Sequence, residues 1–167
     1  MMFGIFENNI ITRKEKDILL EWTYENEHKF VQNPMGPHRK YYKFTHEFGV
    51  PRLFFDVKKR ILERENIGSW IEEPMYMDYI GWITDGGFIQ QHKDGEYNLS
   101  VGLLRHVRYN LFLSVPNKGG DPVYNERKLR MKERNYVKCN SGSEYHRCEP
   151  VRGNKPRIVI SYGVLIK

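Results

Sequence analysis

Past residue 74 the chain changes texture, and that change sets the fold class. Short runs rich in β-branched and aromatic residues follow one another, separated by Gly, Asn and Pro. They predict strands near residues 75–84, 87–93, 106–116, 121–125, 135–140, 144–149 and 156–166, with a weaker one around 99–104. Two helical signals precede them, after a short extended lead-in at 8–11. Thr12-Arg13-Lys14-Glu15 has capping-box spacing, and Ile18, Leu19 and Trp22 follow at helical intervals. A helix is therefore expected over about 13–25, with those three on its core face. Phe54, Val57 and Ile61 carry a second over about 53–66, ending near Gly68. Residues 33–52, broken by Pro34, Gly36, Pro37, Gly49 and Pro51, read as irregular, and Arg39-Lys40-Tyr41-Tyr42-Lys43 within them as a surface loop. Helices first and then about eight short strands predict a mainly β, α+β fold: a sandwich or closed jelly roll with helices packed outside it.

The length suits one domain over 1–167, with helical support over about 1–70 and a β core over about 75–167. Hydrophobic content of 40% argues for a folded core rather than a disordered tail. No apolar run approaches a membrane span, and the first residues lack the design of a signal peptide. Cys139 and Cys148 do not make a disulfide framework, so a reducing, cytoplasmic location is expected. The net charge of +6 permits an acidic partner without requiring one. Much of the excess lies at 127–134, read as a solvated loop or edge strand. The alternative is a landing surface for nucleic acid or an acidic substrate.

The stretch Gly87-Phe88-Ile89-Gln90-Gln91-His92-Lys93-Asp94-Gly95 carries the chemistry. If the strand runs through it, His92 and Asp94 share one face while Lys93 turns away. An imidazole and a carboxylate side by side are two ligands suited to ferrous iron, and His146 is the candidate third. Two histidines and one carboxylate on one side of a metal leave the opposite positions open. Downstream, Arg157 opens the apolar strand Ile158-Val159-Ile160. A guanidinium buried there needs an anion, and a carboxylate matches its planar fork. Ser161 lies on the same face; Lys155 does too and is the reserve cation. His28, His38 and His46 have no ligand spacing and read as surface residues. Cys148 reads as a buried structural thiol.

His92-x-Asp94, His146 about fifty residues later and a basic residue roughly ten beyond it together resemble the signature of the 2-oxoglutarate- and iron(II)-dependent oxygenases. The resemblance implies a double-stranded β-helix, with iron held by His92, Asp94 and His146 and the distal carboxylate of 2-oxoglutarate against Arg157 and Ser161. His106-Val107-Arg108-Tyr109-Asn110 is similar to the corresponding strand of the aspartyl/asparaginyl β-hydroxylase branch. From it Arg108 and Asn110 carry over as cosubstrate or substrate contacts. Gly119-Gly120 before a strand is shared with prolyl-hydroxylase-like enzymes. Trp82 stands about where many relatives place a cosubstrate-contacting tyrosine.

That resemblance implies a hydroxylase using Fe(II), 2-oxoglutarate and O2 on a peptidyl residue, an amino acid or a small metabolite. A carboxylate at Asp94 fills a position that halogenating relatives leave to chloride, which favours hydroxylation. Dealkylation of nucleic acid is the enzymatic alternative, but such enzymes carry a second arginine where this chain has Gly163. A non-catalytic basic β-sandwich binding nucleic acid or protein is the remaining class.

Overall fold

The computed structural model describes residues 5–6, 9–34, 36, 38–44, 49–75, 77–100 and 102–167. His46 and the start of the lead-in at residue 8 lie outside them. Helix α1, Arg13–Glu25, opens on the expected box: the Thr12 hydroxyl accepts from the Glu15 N–H at 3.1 Å while the Thr12 N–H donates to the Glu15 carboxylate at 2.8 Å. Leu19 and Thr23 are its buried residues and Trp22 packs beside them. Ile18, placed on the core face from sequence, is 40% exposed, because its side chain points about one quarter-turn off the Leu19–Trp22–Thr23 stripe. Helix α2, Leu53–Arg64, buries Phe54, Val57, Lys58, Ile61 and Leu62. Asn66 ends it, at φ 55°, with the Ile67 N–H returning to the Leu62 carbonyl at 2.9 Å. Gly68 is not needed for the stop.

Among the described residues the strands are, in chain order, β1 Ile5–Phe6, β2 Val31–Gln32, β3 Arg39–Phe44, β4 Ile71–Glu72, β5 Asp78–Ile83, β6 Ile89–His92, β7 Tyr97–Leu99, β8 Gly102–Ser114, β9 Lys118–Gly119, β10 Pro122–Tyr124, β11 Arg127–Lys128, β12 Tyr136–Cys139, β13 His146–Cys148, β14 Val151–Arg152 and β15 Arg157–Ile166. The major sheet runs β1-β12-β8-β15-β5-β3-β2, the minor sheet β11-β10-β13-β6, and the described pairs are antiparallel. Two expected strands, 99–104 and 106–116, are largely one: β8 runs through both, with β7 folded back on its start.

The segment 39–44 corrects the sequence reading. It is not a surface loop but strand β3, paired residue for residue with β5. Its alternation is hidden because charges and rings fall on both faces. Tyr42 and Phe44 point to the helices, where Lys40 also lies over the Trp82 ring, while Arg39, Tyr41 and Lys43 line the opposite side.

The helices cover the outer face of the major sheet, where Leu19, Phe54, Val57 and Ile61 pack on Ile80, Tyr109, Leu111 and Tyr162. Strand β15 is buried throughout, since helices cover one face and the minor sheet approaches the other. Across the inner face, Phe112, Val137 and Val159 meet Tyr124, and Ile83 meets Cys148 and Ile89. This curled pair of antiparallel sheets is a double-stranded β-helix. At the Gly119-Gly120 corner a Cβ on Gly119 would fall 1.9 Å from the Pro150 carbonyl oxygen, and φ is +71° there, so only glycine lets β9 and β14 approach. The basic segment reads out as β11 at the minor-sheet edge plus a stretch that buries Leu129 and Met131, with Lys128 paired to Glu149 and Asp121. Among the described residues no helix is long and apolar enough to cross a membrane.

One buried ion pair ties α2 to the sheet. Lys58 Nζ lies 3.0 Å from Asp78 and 2.5 Å from Glu72, and Asp78 also accepts the Gly163 N–H at 2.9 Å. Burial raises the Asp78 pKa, with Lys58 opposing. Removing the cation strands that carboxylate. Lys58→Ala should lower stability in urea unfolding by about 3–5 kcal/mol. The exposed neighbour Lys59→Ala should stay within about 0.5 kcal/mol; equal effects would deny the pair its role.

Candidate metal centre and pocket

Strand register brings the two histidines together. β13 pairs with β6 so that His146 lies directly opposite His92, and their ring centroids are 4.2 Å apart. Each ring is oriented by its own backbone. His92 Nδ1 donates to the Gln90 carbonyl at 2.8 Å and His146 Nδ1 to the Glu144 carbonyl at 3.0 Å. Donation at Nδ1 leaves the Nε2 lone pair of the neutral ring free.

Asp94 arrives by a different route from the one the sequence suggested. β6 ends at His92, so the pair is not two alternate residues of a strand. The chain bends after the strand, the Asp94 N–H bonds the Ser141 carbonyl at 2.8 Å, and Gly95 at φ +85° completes the turn. Asp94 Oδ1 then sits 3.3 Å from His92 Nε2 and 3.6 Å from His146 Nε2. One ligand atom from each of the three lies within 4.8 Å of the others. Two imidazole nitrogens and a carboxylate oxygen converging on one point are a donor set for a divalent metal.

The other Asp94 oxygen is held from behind. Oδ2 lies 3.5 Å from Arg108 Nε and 4.0 Å from His106 Nδ1. Arg108 in turn donates to Glu73 at 2.8 Å, to the Met77 carbonyl at 3.1 Å and to the Ser161 hydroxyl at 3.3 Å. Glu73 is fully buried and also accepts from the Met75 and Met77 N–H groups and from the Tyr97 hydroxyl. Burial opposes the Asp94 charge, but His92, His146 and Arg108 outweigh it and bring its pKa down to about 2. The Asp94 hydrogen bond raises His92 above its ordinary value, whereas burial lowers His146 and holds His106 neutral, down to about 4.

Around this cluster lies a cavity of about 490 Å³, within the range of small-molecule sites. Arg157 lines it, 6% exposed, with its guanidinium 4.9 Å over the Phe112 ring and its Nε without a hydrogen-bond partner. Ser161 and Asn110 line it too, and Asn110 donates to the Tyr124 hydroxyl at 3.2 Å. Arg108 reaches the cavity wall, but its guanidinium is committed to Glu73 and Asp94 rather than presented to a ligand. Lys155 precedes β15 and turns outward to Glu133 at 2.7 Å.

Trp82 is on the other face of its strand from Arg157. It pairs with Ile158 and packs edge-on to Tyr24 and Phe30 in the helix-side core. Tyr79, opposite Ser161, is the aromatic of β5 on the Arg157 face, stacked under Arg108. Counting by twos from Arg157 through the β15–β5 register puts Tyr79 on the Arg157 face, while Trp82 borders the cavity only from the other face of the strand. Sequence reasoning also missed Glu73 and Arg39. Nothing local marks Glu73, which lies in an irregular stretch before β5, and Arg39 was masked by the loop assignment.

No family model and no curated protein matches the chain. Solved structures do. A viral collagen prolyl hydroxylase from Paramecium bursaria Chlorella virus-1, in complex with 2-oxoglutarate, superposes with TM-score 0.76 at 14% identity, over 100% of this chain and 97% of that one. A prolyl hydroxylase from Trichoplax adhaerens, in complex with a hypoxia-inducible-factor peptide, gives 0.73 at 14% identity, over 98% and 83%. HygX from Streptomyces hygroscopicus, with nickel and 2-oxoglutarate bound, gives 0.72 at 11% identity, over 99% and 83%. The chain therefore has the double-stranded β-helix fold of the 2-oxoglutarate-dependent oxygenases.

Proposed function

We propose that this chain, acting as one domain, is an Fe(II)- and 2-oxoglutarate-dependent dioxygenase that hydroxylates an unactivated C–H bond of a peptidyl residue, an amino acid or a small metabolite. One observation carries this: three metal-ligating atoms converge in a cavity that also contains a buried arginine with an unpartnered Nε. His92 Nε2, His146 Nε2 and Asp94 Oδ1 would hold the iron, and Arg157 with Ser161 the distal carboxylate of 2-oxoglutarate. When bound, the metal and cosubstrate supply the oxidising power from O2, with 2-oxoglutarate leaving as succinate and carbon dioxide.

The chain's own residues orient and shield. The Gln90 and Glu144 carbonyls keep both imidazoles in the tautomer that offers Nε2. Arg108 and His106 face Oδ2, so Oδ1 is left toward the histidines. Asn110 and Tyr124 form a polar side wall beside His146, where burial keeps the Tyr124 phenol protonated. The neighbours differ in what they take, a peptide in the Trichoplax enzyme and hygromycin B in HygX. Nucleic-acid dealkylation is not favoured: a side chain at Gly163 would meet Arg108 Nη1 at 3.0 Å, so β15 has no room for a second cation there. Two free, buried thiols suit a reducing compartment, and we place the protein in the cytoplasm.

His92→Ala or Asp94→Ala should abolish divalent-metal binding and succinate formation while the circular dichroism of the fold persists; unchanged turnover in either variant would exclude the triad. Arg157→Ala should raise the 2-oxoglutarate concentration needed for half-maximal turnover far more than Lys155→Ala, and the reverse order would move the anchor. The turn holding Asp94 has its own requirement, since a Cβ on Gly142 would lie 2.7 Å from the Gly95 carbonyl. Gly142→Ala should therefore weaken Mn(II) binding about tenfold or more, as loss of support behind a metal ligand does. Wild-type affinity in a titration would show that the approach is not needed.

A further inference from the structure

Arg39 is a second cation in the cavity, and the cosubstrate does not account for it. It lies on β3 opposite Ile83, which is itself opposite Arg157, so the two arginines share the inner face two strands apart. Its position is built rather than accidental. The Asn33 N–H bonds the Arg39 carbonyl at 2.8 Å, the Arg39 N–H bonds the Gly36 carbonyl at 3.2 Å, and the side-chain stem packs on Gly36. The guanidinium is half-buried, and among the described residues no carboxylate meets it. Burial lowers its pKa, Arg157 adds to that, and only Tyr79 and Cys148 act against it. It lines the same cavity as Arg157, His92, Asp94 and His146.

The rest of the lining has the same sign. Leaving aside Lys40, which lies on the helix side and pairs with Glu27, six lysines and arginines border the cavity against one carboxylate, Asp94, which His92, His146 and Arg108 already engage; of the six, Arg108 is paired with Glu73. At the exposed rim Lys93 lies over the Tyr145 ring and Arg147 lies 4.0 Å from Glu126. A half-buried guanidinium without an anion is costly, and its planar fork matches a carboxylate through two parallel hydrogen bonds. The basic segment 127–134 begins on β11, at the opposite edge of the minor sheet from β6, so it does not extend this rim into a nucleic-acid track.

We propose that Arg39 binds a carboxylate of the substrate, separate from the 2-oxoglutarate anchor at Arg157, so that the molecule oxidised is an acid: a free carboxylic acid or an acidic peptide segment. This rests on the oxygenase function proposed above and names its substrate class.

The test uses the full chain loaded with Zn(II) and 2-oxoglutarate, which cannot turn over. Calorimetry first establishes 2-oxoglutarate binding. The loaded protein is then titrated with N-acetylaspartate and with acetyl-Gly-Asp-Gly-amide, each against its asparagine counterpart, while the Arg39 Nε–H resonance is followed by NMR. One or both acids should shift that resonance saturably, and the responding member tells a free acid from a peptide. The matching amides should bind about tenfold more weakly or worse, as expected for loss of a charge-assisted hydrogen bond. Arg39→Gln should erase the preference and Arg39→Lys should restore part of it. Acids that bind no better than amides overturn the proposal, as does a preference that survives in Arg39→Gln. So does an oligonucleotide that shifts the resonance where the acids do not. If Arg39→Gln weakens 2-oxoglutarate binding as much as Arg157→Gln does, Arg39 belongs to the cosubstrate. Wild-type protein that binds no 2-oxoglutarate defeats the oxygenase function itself, an outcome distinct from bound cosubstrate without acid preference.

Discussion

Two imidazoles and a carboxylate are held with their ligating atoms within 4.8 Å of one another, and the rest of the molecule supplies the restraint. The β13–β6 register sets two imidazoles opposite each other. A turn stapled to Ser141 swings Asp94 in beside them. Behind Asp94, the buried Arg108–Glu73 pair fills what would otherwise be a charged void. A buried ion pair is seldom a net source of stability, because desolvation of both partners offsets their attraction. Here its value is geometric, since Arg108 reaches Asp94, Ser161 and Glu73 at once and ties β8, β15 and the stretch before β5 to one carboxylate.

The major sheet divides the labour by parity. Most residues of β3, β5, β8 and β15 on the outer face are apolar or aromatic and pack on α1 and α2, with Lys40 and Asp78 paired to Glu27 and Lys58 there; the inner face carries the cavity's arginines and hydroxyls. The helices therefore do more than cover surface. By burying Ile80, Trp82, Tyr109 and Tyr162 they commit each strand to one register, and a slip by one residue would exchange the faces of Trp82 and Tyr79. The inner face can then carry unpaired charge because the outer face supplies the cohesion.

The helices, the strand-rich second half and the His-x-Asp pair were legible locally, because capping, period and spacing act over a few residues. Strand β3 was not: Arg39-Lys40-Tyr41-Tyr42-Lys43 has no apolar face, and only its partner β5 makes it a strand. Trp82 stands about where relatives place a tyrosine, yet the face a residue takes depends on pairing with a strand far away in the chain. Glu73 carried no signal, since its partners come from Arg108, Tyr97 and two backbone amides of a turn.

By itself the amino-acid order determined the kinds of element and the chemical identity of the donors, because propensity and side-chain type are properties of single residues and their near neighbours. Tertiary structure alone decided which donors meet, which way Asp94 turns after β6 ends, and that Arg157 and Arg39 face the cavity while Lys155 reaches out to Glu133. Those outcomes follow from cross-strand register and from where buried charge finds a partner, and both are settled only when distant segments pack together.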